Sequence, residues 1–330
     1  MKRVDLSIGS GGKSMRDFIE GVVLKHLGNH TLNGLQDSAI LSTRGTIAFT
    51  TDSFVIHPLF FPGGDIGTLC IAGTVNDLIV CGARPLYVSL ALILEEGFGM
   101  DDLDRVLTSV KDTADSAGVE VVTGDTKVVR KGEADGLYIN TAGIGEVVRR
   151  DDGREIREGD AVIVTGSPGD HGVAVMVARN EFALEGNVCS DCAPLVSLLP
   201  LWGMEGVKWM RDITRGGLAT VICEFAEEMG CTVLLEEALV PFSPPVRCVA
   251  EILGIEPLYL PSEGKAVVVA SPDAADVVLD YLRGPGGCPE ASAIGVVRPK
   301  RVEASAILKT VSGGYRVLES LTGELLPRIC

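Results

Sequence analysis

Short apolar runs and amphipathic stretches alternate along both halves of the chain. In the first half, the spacing of apolar residues predicts helices over residues 14–30, 67–81 and 101–117, and strands over 46–50, 86–94, 119–122 and 137–144. In the second half it predicts strands over 161–165, 232–235, 265–270 and 293–297, and helices over 173–180, 217–229, 246–253 and 273–282. The mixture of elements predicts an α/β (α+β) fold in each half.

A charged, glycine-containing run at residues 149–160 separates two apolar segments and is typical of a solvated connection. The length of 330 residues fits two domains better than one. We therefore predict domains at 1–148 and 149–320, followed by a flexible tail at 321–330.

Composition and charge narrow the functional classes. The formal net charge of −16 disfavours nucleic acid and anionic membranes as partners. It leaves nucleotides open, because Mg²⁺ held by carboxylates can bridge to phosphate. Apolar runs are too short for a membrane-spanning helix, and the N-terminus lacks the apolar region of a signal peptide. A cytoplasmic protein is expected.

The chain has nine cysteines, which are expected to remain thiols in the reducing cytoplasm. Cys70, Cys81 and Cys223 lie among apolar neighbours and are predicted to be buried. Cys189 and Cys192 form a lone CxxC pair without a second pair at metal-ligand spacing, so metal or redox use there is a minor alternative.

The last residue is also a cysteine, Cys330. One interpretation is a nucleophile or acyl carrier on a mobile arm. The other is a frayed terminus that carries an accidental thiol.

A glycine-rich loop precedes Lys13 near the N-terminus, but Ser7 stands where a P-loop requires its first glycine. A nucleotide-binding P-loop fold is therefore not expected. The glycines and Lys13 still suit the binding of phosphate, and a flexible turn is an equally good interpretation.

Three aspartates stand at predicted element ends or in an apolar stretch. Asp52 and Asp125 each follow a predicted strand, where turn capping is the ordinary alternative. Asp77 falls inside an apolar helix, where an unpaired carboxylate is costly to bury. Clustering around Mg²⁺ and a triphosphate would offset that cost.

Two further motifs carry candidate groups: Asp212 in DITRGG and Glu263 in PSEGK. Asp212 precedes a predicted helix, so it is also a candidate helix cap. Glu263 precedes a predicted strand, so a surface turn is its alternative.

Ten motifs, in the order GSGGK, TTDSFVIHPLFFPGGDIG, GTVNDL, TGDTKVV, INTAG, TGSPGDHG, SDC, RDITRGG, PSEGK and PRIC, cover nearly the whole chain. On these motifs the sequence resembles the HypE family of carbamoyl dehydratases, which mature hydrogenases. The TDSFVIHPLFFPGG block and the terminal PRIC are specific to that family. GDT, DITRGG and the glycine loop are shared with aminoimidazole ribonucleotide synthetase, selenophosphate synthetase and thiamine monophosphate kinase.

The resemblance implies an aminoimidazole ribonucleotide synthetase-like fold with an ATP-binding, dimerising N-terminal domain. The N-terminal domains of a homodimer would pair into an intersubunit β-barrel, with ATP near the interface. It also implies that a carbamoyltransferase, HypF, loads Cys330. ATP-dependent dehydration would turn the thiocarbamate into a thiocyanate, and cyanide would pass to iron on a scaffold of HypC and HypD for a [NiFe] hydrogenase.

Site roles follow from the same resemblance. Cys330, Lys127 and Glu263 would be catalytic, the last two lying near the thiocarbamate and assisting proton removal. ATP and Mg²⁺ would be bound by Lys13, Asp52, Asp77, Asp125 and Asp212, with the metal itself on Asp52, Asp77 and Asp125.

Three alternatives remain at this point. A selenophosphate synthetase-like enzyme is disfavoured, because the N-terminal glycine loop lacks a cysteine. A non-catalytic scaffold would use Cys330 only to dock a partner or metal. A thiol-redox protein would depend on Cys189 and Cys192.

Overall fold

We describe the chain from a computed structural model. It describes residues 3–6, 8, 12–35, 38–149, 155–180, 188–300, 305–321 and 328–330. Part of the predicted connection and most of the predicted tail, residues 150–154 and 322–327, lie outside these ranges.

The first sheet has four strands, in the order β1-β6-β4-β5. Their bounds are β1 Ile47–Phe54, β4 Ala83–Glu95, β5 Glu120–Val129 and β6 Leu137–Val147. β4 and β5 are parallel, whereas β6 is antiparallel to both β1 and β4. The outer strands β1 and β5 therefore each leave one edge without a partner strand within the described part of the chain.

Helices cover one face of this sheet. The longer two are α3 Ile66–Val80 and α4 Met100–Ala117, preceded by a short hairpin of β2 Phe60–Phe61 and β3 Gly64–Asp65. The N-terminal segment forms α1 Gly12–Phe18, a π-helical turn Ile19–Val23 and α2 Leu24–Leu27. The opposite face is not covered by any described helix, and Phe49 there is 66% exposed.

α3 is apolar all round because both of its sides are covered. Its N-terminus is capped by Asp65, whose carboxylate accepts hydrogen bonds from the Gly67 and Thr68 amides and the Ser109 hydroxyl. One side packs on β1, β4 and β6, and another faces the second domain, where the Trp202 indole donates to Ile79 O at 2.8 Å. α3 is thus one of the elements that connect the two halves.

The second sheet has seven strands in the order β13-β12-β9-β11-β7-β10-β8. The strands are β7 Ala161–Val164, β8 Val207–Asp212, β9 Thr232–Glu236, β10 Ala266–Ala270, β11 Ser292–Arg298, β12 Ser305–Lys309 and β13 Tyr315–Leu318. Its helices are α5 Asp170–Arg179, α6 Gly217–Met229, α7 Pro244–Leu253 and α8 Pro272–Arg283.

Every predicted helix and strand is present, but the bounds of several strands differ from the predicted bounds. β5 extends to Val129, because its edge position and exposed polar face do not interrupt backbone pairing with β4. Asp52 and Asp125 are therefore interior strand residues, and the prediction that they stand at strand ends is wrong. The short strands β2 and β3 and the strands β8, β12 and β13 were not predicted. β8 matters most here, because it ends at Asp212.

Candidate active site

An acidic cluster lies where α3 meets β1 and the second domain. Asp77 accepts a hydrogen bond from the Thr50 hydroxyl at 2.7 Å. Asp52 is on the same face of β1 as Thr50 and lies close enough to Asp77 for the two side chains to interact. Asp212, at the end of β8, interacts electrostatically with both. Tertiary contact therefore joins three of the predicted aspartates.

Proton binding is strengthened at two carboxyls of this cluster, Asp52 and Asp212. Burial, then repulsion by Asp77, raises the pKa of Asp52 to about 6, although Arg215 opposes the shift. Burial and the same neighbour raise the pKa of Asp212 to about 7. The cluster thus carries more negative charge than its surroundings neutralise.

Glu263 is the most confined carboxyl of the site, with a side chain 3% exposed. Burial raises its pKa well above the ordinary range, and Asp212 and Asp191 add to the effect. Its Oε1 atom is buried and accepts no hydrogen bond from the described residues. A buried carboxyl with a raised pKa and an open acceptor position is suited to general acid–base chemistry.

The Glu263 loop is held by the SDC motif. Asp191 Oδ1 accepts from the Glu263 amide at 3.0 Å, and Lys265 Nζ lies 3.5 Å from Asp191 Oδ2. Gly264 is required here by close approach, because a Cβ at that position would lie 1.8 Å from Asp191 O. Sequence reasoning attached no role to Asp191.

Asn76 ties this loop to α3. Its amide nitrogen donates to Glu263 O at 3.3 Å and Ala193 O at 3.1 Å, and its Oδ1 accepts from the Leu195 amide at 2.7 Å. The signal that drew attention to Asp77, a polar residue in an apolar helix, applies equally to its neighbour Asn76.

Asp125 and Lys127 are not part of this cluster within one chain. They alternate with buried Thr126 along β5 and share the uncovered face of the first sheet with Phe49, whereas Asp52 lies on the face that packs on α3. Lys127 Nζ is 3.8 Å from Asp125 Oδ2, and both side chains are more than half exposed. A cavity of about 580 Å³ adjoins Asp125 at the β5 edge.

The C-terminal residues are docked along the end of β1. Val55 N donates to Cys330 O and His57 N donates to Arg328 O, both at 3.2 Å, in the manner of an added antiparallel strand. The Arg328 guanidinium donates to Val55 O at 2.9 Å and to Asp135 Oδ2 at 2.6 Å. The tail is therefore held by backbone hydrogen bonds and by the ion pair between Arg328 and Asp135.

The second domain holds the tail from the other side. Arg179 donates to Arg328 O at 2.7 Å, and His171 Nε2 lies 2.8 Å from Ile329 O. His171 Nδ1 in turn lies 2.8 Å from Ser190 Oγ, in the loop that carries Asp191. The C-terminal peptide is therefore linked through the buried His171 ring to the loop of Ser190 and Asp191, which in turn contacts the Glu263 loop.

Comparison with known proteins agrees with these motifs. Residues 35–147 match the family model of the AIR synthase related protein N-terminal domain, and residues 157–307 match that of its C-terminal domain. The carbamoyl dehydratase HypE of Rhodobacter capsulatus is 42% identical over 347 residues, covering 100% of this chain and 98% of that relative.

Two solved structures are also similar. A crystal structure of the hydrogenase maturation protein HypE in complex with ATP is 42% identical, with a TM-score of 0.93 and 99% of each chain covered. A HypE–HypF complex is 38% identical, with a TM-score of 0.79, covering 92% of this chain and 99% of that chain.

This chain belongs to the HypE family. The family, the fold class and the enzyme class predicted from the motifs are thereby confirmed. The individual roles predicted for the site residues remain predictions.

Part of the predicted phosphate-binding loop of this HypE family member lies outside the described residues. The glycines at positions 9 and 11 are not described, and Lys13 lies in α1 with its side chain undescribed.

No described helix is long and apolar enough to cross a membrane.

The cysteines are free thiols with different environments. Cys70 and Cys223 are buried as predicted, but Cys81 is exposed, because it follows the last turn of α3 at the edge of the acidic cluster. Cys192 is buried and Cys189 is exposed. Among the described residues, no three His, Cys, Asp or Glu side chains converge as metal ligands.

Proposed function

We propose that this chain binds ATP and dehydrates a carbamoyl group carried on its own Cys330. The thiocarbamate S–C(=O)–NH₂ would become the thiocyanate S–C≡N, with the carbonyl oxygen leaving as phosphate and two protons leaving the nitrogen. ATP becomes ADP, so the atoms balance. One observation carries the proposal. The C-terminal peptide is hydrogen-bonded through the buried His171 ring to Ser190, in the loop whose Asp191 binds the Glu263 amide.

Glu263 is the proposed base. Nitrile formation requires an acceptor for the nitrogen protons, and the open Oε1 of a buried carboxylate provides one. Its raised pKa makes it a stronger base than an exposed glutamate once ionised. Lys127 is proposed to orient phosphate or to relay a proton.

The acidic cluster suits the binding of a divalent cation. Mutual repulsion among Asp52, Asp77 and Asp212 would be relieved by Mg²⁺, and carboxylate oxygens are the ligands that Mg²⁺ prefers. We assign Asp52 and Asp77 to Mg²⁺, and Asp212 with Lys13 to the nucleotide. Bound Mg-ATP supplies the phosphoryl group that turns an amide oxygen into a leaving group.

We propose that a homodimer completes the site. Both edges of the first sheet and its apolar uncovered face are available within the described chain, and pairing of two such sheets would close an intersubunit β-barrel. Asp125 and Lys127 lie on that face, so pairing is proposed to bring them toward the partner copy's site. Asp125 would there contribute to Mg²⁺ binding.

Loading requires the tail to leave its seat. Ten residues from Leu321 to Cys330 span at most about 33 Å, which is enough to reach another active site. The HypE–HypF complex among the similar structures supports HypF as the loading partner. We further propose HypC and HypD as the acceptors of cyanide, and the cytoplasm as the location.

Intact-mass measurement tests the proposal. Incubation with the carbamoyltransferase and its substrates should add one carbamoyl group, and subsequent Mg-ATP should remove one water. Cys330→Ala should abolish both changes and leave the affinity for Mg-ATP within about twofold, because the cysteine carries substrate and does not bind nucleotide.

Cys189→Ala is the matched control, because it removes an exposed thiol that has no role in the proposed reaction. Retention of both mass changes in Cys330→Ala would place the cargo elsewhere. A carbamoyl adduct that persists in the unaltered protein with Mg-ATP would favour a scaffold that only docks partners.

A further inference from the structure

His171 is fully buried, and both of its ring nitrogens are engaged. The Ile329 carbonyl can only accept, so Nε2 carries the proton, and Nδ1 accepts from the Ser190 hydroxyl. Burial lowers the pKa of His171, in keeping with a neutral ring. With both nitrogens occupied, the ring has no free position from which to take a substrate proton.

Ser190 passes this contact on to the site. Its Oγ accepts from the Cys192 amide at 3.0 Å, and its own amide donates to Pro62 O at 2.7 Å. The next residue, Asp191, accepts from the Glu263 amide. A series of hydrogen bonds, continued through the Ser190–Asp191 peptide link, therefore runs from the docked tail to the backbone of the proposed base.

We infer that His171 is a positioning residue that couples docking of the C-terminal peptide to the placement of Glu263. The inference rests on the proposed function, because Glu263 is the base proposed there. A docked tail satisfies the His171 N–H, so the ring, Ser190 and Asp191 are held in one arrangement.

Undocking of the tail changes the hydrogen bonding of His171. Departure of the tail leaves a buried N–H without its acceptor, which is energetically unfavourable. The ring and the Ser190 loop then gain by rearranging, and Glu263 loses its support. The base is thus set in place when the peptide arrives.

Hydrogen exchange tests the coupling without any turnover. Arg328→Ala removes the ion pair with Asp135 and should release the tail. We expect faster exchange of the amides at residues 53–57, which bind the tail, and also at 190–193 and 263, which do not. Arg84→Ala, which breaks an exposed ion pair with Glu146, is the matched control. Faster exchange at 53–57 without a change at 190–193 and 263 overturns the coupling.

Single-turnover dehydration tests the consequence for catalysis. Ser190→Ala breaks the link between His171 and the Asp191 loop without contacting the tail. We expect water loss from the loaded protein to slow by at least about tenfold, with exchange at 53–57 and the Mg-ATP affinity unchanged. Ser197→Ala, which removes a hydroxyl bonded to Gly286 O, should retain the full rate.

The two possible failures are distinguishable. If the loaded, unaltered protein loses no water, the proposed function is refuted. If Ser190→Ala loses water as fast as the unaltered protein, only the coupling through His171 is refuted. His171→Gln provides a second variant, because glutamine can donate to Ile329 O but cannot reproduce the paired geometry of the ring. It should slow the reaction in the same way as Ser190→Ala.

Discussion

Burial disfavours the ionised form of Asp212, so this carboxyl makes the stability of the protein depend on pH. Its pKa is about 7 in the folded chain and near 3.8 in the unfolded chain. Between these values the folded state binds more protons than the unfolded state, so the free energy of unfolding falls as pH rises. Above pH 7 the full penalty for holding the charge is present.

Asp212→Asn removes that penalty. We expect the variant without nucleotide to be more stable than the unaltered protein at pH 8, by an upper bound of about 4 kcal/mol for a shift of about three pKa units. The gain should shrink as pH falls from 7 and vanish near pH 4. Urea unfolding at pH 5 and pH 8 measures the difference.

The matched control is Asp280→Asn, an exposed carboxyl on α8. It should change stability little at either pH. A gain for Asp212→Asn that is equal at pH 5 and pH 8 would show that the carboxylate is not under electrostatic strain. The same substitution should weaken binding of Mg-ATP, so the stabilised variant is expected to be less active.

At the scale of elements, two loops meet α3 beside the acidic cluster that β1 and β8 help to form. α3 contributes Asn76 and Asp77 on adjacent positions, and the Asp191 and Glu263 loops close over it. Neither loop is a regular element, so each depends on the other for its conformation. Their closest backbone approach is at Gly264.

Gly264→Ala should therefore separate the loops. The added Cβ meets the Asp191 carbonyl, which cannot yield without moving the loop. We expect a loss of about 1–3 kcal/mol in the free energy of unfolding and a larger loss in dehydration rate. Thermal unfolding and single-turnover mass measurements give the two values.

Gly203→Ala is the control, because a Cβ at that position has no neighbour within 4 Å and the glycine does not need a positive φ. It should leave both stability and rate nearly unchanged. A tolerated Gly264→Ala would mean that the two loops are not in fixed contact.

At the scale of the whole molecule, we expect the uncovered face of the first sheet to be the surface through which two copies pair. Ile47, Phe49 and Ile93 are each at least 40% exposed on that face. Exposed apolar side chains on a sheet with two open edges are typical of a surface that pairs with another copy.

Phe49→Asp should disrupt this pairing. A carboxylate at the centre of an apolar interface is not paired and is costly to bury. We expect the molecular mass from sedimentation to fall from that of a dimer to that of a monomer, with loss of dehydration. Val277→Asp, at an exposed apolar position on α8, should remain dimeric. A Phe49→Asp dimer would contradict pairing through this face.

Periodicity located the elements well because it is a local property. All predicted helices were found, and α3 was recognised as buried from its unbroken apolar content. Strand ends were less accurate, since β5 continues through polar residues wherever backbone pairing with β4 continues. Asp125 was therefore misplaced at a strand end.

The sequence by itself determined the elements, the family and the kinds of chemical group available, because each depends on neighbouring residues or on ordered motifs. Only the tertiary structure decided which groups meet. Asn76 and Glu263 are 187 positions apart, and a tail contact joins residues 273 positions apart. Contacts at such separations arise from packing of whole domains, which no local pattern records. The same packing placed Asp125 and Lys127 on the opposite face of the sheet from Asp52, because side-chain direction in a strand depends on register.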